Sequence, residues 1–100
     1  MAITIAKNNE GVAIVLDDRF DFGSVGDFRK SYESLESIAR RTVAIDFKNT
    51  RYIDSSALGM LINAKTYCAK QDAKVKLINT NEQIRKILTI SRFEKKFDIS

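Results

Sequence analysis

The stretch that most constrains this chain is Thr42-Val43-Ala44-Ile45-Asp46-Phe47. It is a short apolar, β-branched run, so it reads as a central strand buried on both faces. A chain of 100 residues is the size of one domain with one core, which leaves little room for a deep substrate pocket as well. The expectation is a single domain over residues 1–100.

The remaining elements arrange themselves around that strand. Residues 2–6 and 11–16 read as two strands, with Val12, Ile14 and Leu16 alternating against Ala13 and Val15. Asn8-Asn9-Glu10-Gly11 between them has turn chemistry and suggests a hairpin. Residues 17–23 read as a loop. Ser24-Val25-Gly26-Asp27 matches a capping box, and Val25, Phe28, Tyr32, Leu35 and Ile38 follow at helical spacing, predicting a helix over 25–39. A second helix is expected over 56–70 and a strand over 74–78. Thr80-Asn81-Glu82-Gln83 offers another capping box before Ile84, Ile87 and Leu88, and residues 97–99 can add a short last strand. The order β-β-α-β-α-β-α-(β) implies an α/β fold. Its small mixed sheet has four to five strands, parallel except for the first hairpin, with helices packed on it. No internal repeat, low-complexity stretch or linker is evident.

Between the central strand and the second helix lies Tyr52-Ile53-Asp54-Ser55-Ser56-Ala57-Leu58. Asp and Ser are both preferred N-cap residues, because a side-chain oxygen accepts a free backbone N–H. Capping explains one of the three polar residues, not three in a row. A serine there is also a plausible phosphosite: phosphate adds about −1.5 to −2 charges, which the free N–H groups and dipole of a helix start favour. Local chemistry alone favours the cap. In the helix that follows, Leu58, Leu61, Ile62, Cys68 and Ala69 share one face and Ala57, Met60, Ala64 and Tyr67 a neighbouring one. The apolar arc is wider than a single core-facing stripe needs. Either the helix is well buried, which periodicity favours, or Met60, Ala64 and Tyr67 stay partly exposed for a partner.

Composition excludes several function classes. There is no histidine and one cysteine, Cys68, so Ser-His-Asp and Cys-His catalysis, the common zinc sites and an internal disulfide are all ruled out. No cofactor or metal is implied. The first residues lack a basic start and a long apolar run, and no apolar run reaches membrane-span length, so a soluble cytoplasmic protein is expected. The net charge of +4 comes without any block of like charges, which argues for a mixed solvated surface and not for a nucleic-acid footprint.

The segment "FKNTRYIDSSALGML", with the strand "TVAIDF" before it and a helix after it, resembles the STAS-domain family, in the branch of the bacterial anti-sigma factor antagonists. Asp54, Ser55, Ser56, Leu58 and Gly59 match that branch's Asp-Ser-Ser/Thr-Gly-Leu-Gly pattern, and Ala57 stands where glycine is usual. Upstream, Asp21 falls at the place of the family's Gly-Glu-Leu-Asp aspartate, while Asp18-Arg19-Phe20 replaces the first three residues. The resemblance covers residues 2 to about 97. It implies a partner switch that catalyses nothing itself. Ser55, with Ser56 as second choice, would be phosphorylated by a GHKL-type serine kinase that is also the anti-sigma factor. The unphosphorylated form would bind that kinase and release its target, phosphorylation would end binding, and a PP2C-type phosphatase would reset the switch. The expected partner surface is Asp21, Asp54, Ser55, Ser56, Ala57, Leu58, Gly59, Met60, Ala64 and Tyr67, on a monomer.

Three alternatives stand beside this. The chain could be a non-switching STAS subunit of a transport or stress-sensing assembly. It could be an enzyme using Ser55 as nucleophile with Lys48 or Lys65 as base, although no G-x-S-x-G elbow surrounds the serine. A nucleic-acid binder would rest on the pI of 9.3 alone.

Overall fold

The computed structural model describes residues 3–7 and 11–100. Its strands are β1 (Thr4–Lys7), β2 (Gly11–Val15), β3 (Arg19–Phe20), β4 (Thr42–Asp46), β5 (Tyr52–Ile53), β6 (Lys74–Ile78) and β7 (Asp98–Ile99). Five of them form a mixed sheet in the order β1-β2-β4-β6-β7. β1 pairs antiparallel with β2, and every later pairing is parallel. Helices α1 (Val25–Glu33), α2 (Ser55–Ala69) and α3 (Glu82–Ile90) connect the parallel strands. The strand order advances in one direction, so right-handed crossovers place all three helices on the same face. The turn residues 8–10 of the expected hairpin lie outside the described residues, but the antiparallel pairing on either side of them is present, Thr4 opposite Val15 and Lys7 opposite Val12.

The central strand is as its composition requires. Val43, Ala44, Ile45, Asp46 and Phe47 are all buried. The lone carboxylate among them is satisfied, because Asp46 Oδ1 accepts from Lys48 N (2.9 Å) and from Asn79 Nδ2 (3.0 Å). The Asn79 bond ties the carboxyl end of β4 to the end of β6, and the Lys48 bond shapes the turn that leaves β4. One hydrophobic cluster joins Val12, Ile14 and Leu16 to Val43, Ile45, Val75 and Leu77, and these to Phe28, Leu61, Ile84 and Leu88 of the helices.

Four local expectations need correction. α1 ends at Glu33, not near residue 39. Ser34 turns its hydroxyl onto Ser31 O (2.8 Å), and Ser37 takes a left-handed φ of 57°, which no helix continues through. Leu35 and Ile38 still reach the core from irregular chain. Ser24 does not cap α1 with its side chain: its backbone is already helical, and the capping box stands one turn earlier. There Asp21 Oδ1 accepts from Gly23 N (3.0 Å), and the buried Ser24 hydroxyl accepts from Asp21 N (3.3 Å). At α3 the cap is Asn81, whose Oδ1 accepts from Ile84 N (2.8 Å), while Thr80 is buried and donates to Ser100 O. Finally, residues 17–23 are not all loop. β3 pairs in parallel with β5 as a separate two-stranded ribbon.

Two tests follow from this packing. Gly11 faces the Thr42 carbonyl so closely that a Cβ would collide with backbone. Gly11→Ala is therefore expected to lower unfolding stability by ~1–3 kcal/mol in a urea titration, as overpacking does. Burial on α2 pushes the Cys68 thiol up from its ordinary 9.0 to about 11. The neutral thiol is the form the fold favours, so its stabilising contribution is complete below pH 9 and is lost as pH rises towards 11. A disulfide-type thiol reagent at pH 8 is expected to leave the folded chain unlabelled and to react with one thiol in denaturant.

Candidate functional site

The β3–β5 ribbon explains how the candidate residues come together. Arg19 is in register with Tyr52 and Phe20 with Ile53, so Asp21 and Asp54 are the next residues out of two parallel strands. Each aspartate then starts a helical segment: Asp21 a 3-10 turn leading into α1, Asp54 the helix α2. The equivalence continues along the chain, with Ser24 and Ala57 both fully buried and Gly26 and Gly59 both facing open space. "RFDFGSVG" and "YIDSSALG" are thus two versions of one local design. The shared apolar-Asp-x-x-small-apolar-Gly pattern is the sequence signal for it, and a faint one, because the two copies differ at most positions.

Asp54 is the residue that joins them. Its Oδ1 accepts from Ala57 N (3.1 Å), capping α2, and its Oδ2 accepts from Phe22 N (3.2 Å) across the gap. Further bonds stitch the same segments: Thr50 Oγ1 donates to Asp17 O (2.8 Å), Arg51 Nε to Asp18 Oδ1 (2.8 Å), and Asn81 Nδ2 to Thr50 O (3.1 Å). The Arg19 guanidinium lies 4.2 Å over the Tyr52 ring and pairs through Nε with Asp21 Oδ2 at 3.3 Å. Both arginines are largely exposed, so these pairs fix orientation more than they stabilise the fold.

Because Asp54 is the cap, Ser55 is not. Ser55 is the first residue of α2, exposed, and its hydroxyl makes no hydrogen bond within the described residues. Ser56 is half-buried beside it. The N–H groups of a helix's first turn lack intrahelical partners, so the end that carries Ser55 favours an anion. At the position equivalent to Ser55 the other copy carries Phe22, which is 72% exposed, and Val25 next to it is 44% exposed. Sequence reasoning leaves Phe22 in a loop and puts Val25 on the apolar face of α1, since their exposure depends on the ribbon.

The remaining expected residues separate into two groups. Gly59 is exposed and Leu58 half-buried, both near Ser55 on the outer turn of α2. Ala57, Met60 and Ala64 are buried, at 0%, 5% and 1% exposure, so at Met60 and Ala64 the helix is well buried, as periodicity favours, and the alternative in which they stay open does not hold. The reason is that Ala57, Leu61, Ala64 and Cys68 form the inward stripe of α2, with Met60 beside it. It is Ile62 and Ala69, from the other predicted face, that point outward. Tyr67 is half-buried, its ring 5.2 Å from that of Tyr32.

A serine nucleophile has no support from Lys65. That lysine is ten positions further along the same helix, roughly 15 Å away. Its ammonium is committed to the Lys96 carbonyl. Among the described residues no cluster of side chains could hold a metal ion, and no helix is long and apolar enough to cross a membrane.

Asp54→Ala removes both acceptors at once. It is expected to lower stability by ~1–2 kcal/mol, in the range of lost caps, and to speed amide exchange at Phe22 and Ala57 together. Faster exchange at Ala57 alone would mean that the bond across to Phe22 contributes nothing.

The fold recurs in solved structures. A putative anti-sigma factor antagonist from Thermotoga maritima superposes with a TM-score of 0.82 at 14% identity, over 97% of this chain and 84% of that one. The anti-sigma factor antagonist SpoIIAA in its unphosphorylated form does so with 0.72 at 19% identity, over 99% and 87%. In sequence, the chain is 43% identical over 102 residues to a STAS-domain containing protein of Pseudomonas aeruginosa (strain UCBPP-PA14), with all of both chains covered. The STAS domain pattern matches residues 2–100, and the chain belongs to the STAS-domain family.

Proposed function

We propose that this chain is a phosphorylation-controlled partner switch acting as one STAS domain in the cytoplasm, with Ser55 as the modified residue. The observation that carries the reading is the division of labour at the start of α2. Asp54 supplies the cap, so the fold does not need the Ser55 hydroxyl, which is left exposed and without a bond of its own among the described residues. A phosphate there would meet a helix N-terminus and leave the core untouched. It would also add charge beside Asp54 and Asp21, which begin the two linked helical segments. Two extra negative charges in a desolvated contact cost several kcal/mol, enough to change affinity by orders of magnitude.

The likeness to SpoIIAA supports an anti-sigma factor as the partner class, here a GHKL-type serine kinase that binds the unphosphorylated form, with a PP2C-type phosphatase restoring it. The chain catalyses none of these steps. The contact centres on Asp21, Asp54, Ser55, Ser56, Leu58 and Gly59. Gly59 supports this too. It is exposed inside a helix, and a Cβ added to it would meet nothing within 4 Å. Glycine there costs the helix about 1 kcal/mol relative to alanine without serving internal packing.

The test uses three baits, wild type, Ser55→Ala and Ser55→Asp, with captured proteins and bait phosphorylation read by mass spectrometry. Wild type and the alanine variant are expected to retain a serine kinase that the aspartate variant loses, with phosphate on Ser55 of wild type. Identical captures by all three baits and no phosphate on Ser55 would instead make the chain a non-switching subunit.

A further inference from the structure

The charge of this chain is concentrated at one end. Parallel strands β2, β4 and β6 all begin at the pole opposite Ser55, and three neighbouring depressions run together there. The first, about 230 Å³, is flanked by Lys7 and Arg41. The second, about 510 Å³, is flanked by Arg40, Arg41 and Lys74. The third, about 370 Å³, is flanked by Lys65, Lys74, Lys95 and Lys96. Arg41 belongs to the first two and Lys74 to the last two, so the depressions form one band. Backbone bonds clamp its two strips together, Arg40 N to Asp72 O (2.7 Å) and Lys74 N to Arg41 O (3.1 Å).

With Lys70 beside it, the band holds eight cations against four carboxylates, Glu36, Asp72, Glu94 and Asp98. Among the described residues outside the band, nine cations stand against eight carboxylates, so nearly all of the positive excess of the described residues lies in this band. The three ion pairs found among the described residues all lie elsewhere. Lys70 at the end of α2 complements the helix dipole, but that accounts for one cation of the eight.

We propose that this cationic band docks an acidic polypeptide segment, at a surface separate from Ser55. Three features select that occupant. The large exposed apolar residues, Ile5, Phe22, Val25, Tyr52, Ile62 and Ile90, all lie outside the band, so it has nothing to insert into a bilayer. Its one aromatic, Phe97, is buried, so no platform exists for stacked bases. The surface is recessed at intervals, which suits carboxylate side chains entering between arginine and lysine heads and not a flat plane of headgroups. Helix α2 separates the two poles by roughly 20 Å, beyond the ~8 Å screening length at physiological salt. Both ends can therefore be occupied at once.

The probe is a fluorescein-labelled Glu/Asp-rich peptide titrated with the full chain and read by fluorescence anisotropy. Saturable binding is expected, weakening ~10-fold or more as salt is raised from about 50 to 200 mM. Arg41→Glu and Lys74→Glu are each expected to lose ~10-fold or more in affinity with unchanged thermal melting, because both side chains are exposed, and Ser55→Asp to bind like wild type. No saturable binding, or charge-reversed variants that bind like wild type, would overturn the proposal. So would tighter binding of a single-stranded oligonucleotide or of phosphatidylserine vesicles at the same salt. The Ser55 baits and this titration read different ends of the molecule, so either reading can fail alone.

Discussion

The two oxygens of the Asp54 carboxylate hold together the end of the molecule where the candidate site lies. One closes the first turn of α2 and the other reaches the backbone of the turn before α1. Charge-assisted bonds of this kind are the strong members of the hydrogen-bond family, and the one to Phe22 bridges residues 32 apart in sequence. Without them the two parallel segments would keep the ribbon pairing and the Thr50–Asp17 and Arg51–Asp18 bonds, but the two helix starts would lose the bond that links them directly. The same carboxylate relieves Ser55 of any structural duty. A residue can change chemically without unfolding its host only if another residue does the holding, and Asp54 does so.

The rest of the architecture presents that end. A central strand buried on both faces demands neighbours on each side, which right-handed crossovers supply in sequence, with every helix on one face. Parallel strands necessarily place all their carboxyl ends together, and in α/β sheets that is where loops gather and ligands meet the fold. Asp46 anchors the same end from below by tying β4 to the turn after β6. The amino ends gather just as necessarily at the far pole, so the parallel topology also keeps the basic band of this chain away from the end that carries Ser55.

Much of this was legible in the sequence, for physical reasons. Val43, Ile45 and Phe47 could only be core, and Asp54-Ser55-Ser56 could only be a helix start, because their local chemistry agrees with their tertiary role. Ser24 misled because a hydroxyl three residues before a carboxylate has the composition of a capping box whichever residue begins the turn. Only the backbone of Ser24, already helical, shows that Asp21 caps instead. The apolar arc of α2 was visible, but where the inward stripe runs along it was not: the stripe takes Ala57 and Ala64 from one face and Leu61 and Cys68 from the other, and periodicity gives relative angles with no absolute orientation. The ribbon escaped because two residues per strand carry no period at all. Phe22 escaped with it: an isolated phenylalanine reads as core until its neighbour across the ribbon is known.

That ribbon has a dynamic consequence. β3 and β5 contribute two residues each and are not hydrogen-bonded into the main sheet. So short a pairing has almost no cooperativity of its own, whereas β2, β4 and β6 share five-residue registers that open only with the whole core. Opening the ribbon needs only its own pairings and the bridges of Asp54, Thr50 and Arg51 to break, so this corner can loosen while the five-stranded sheet stays closed.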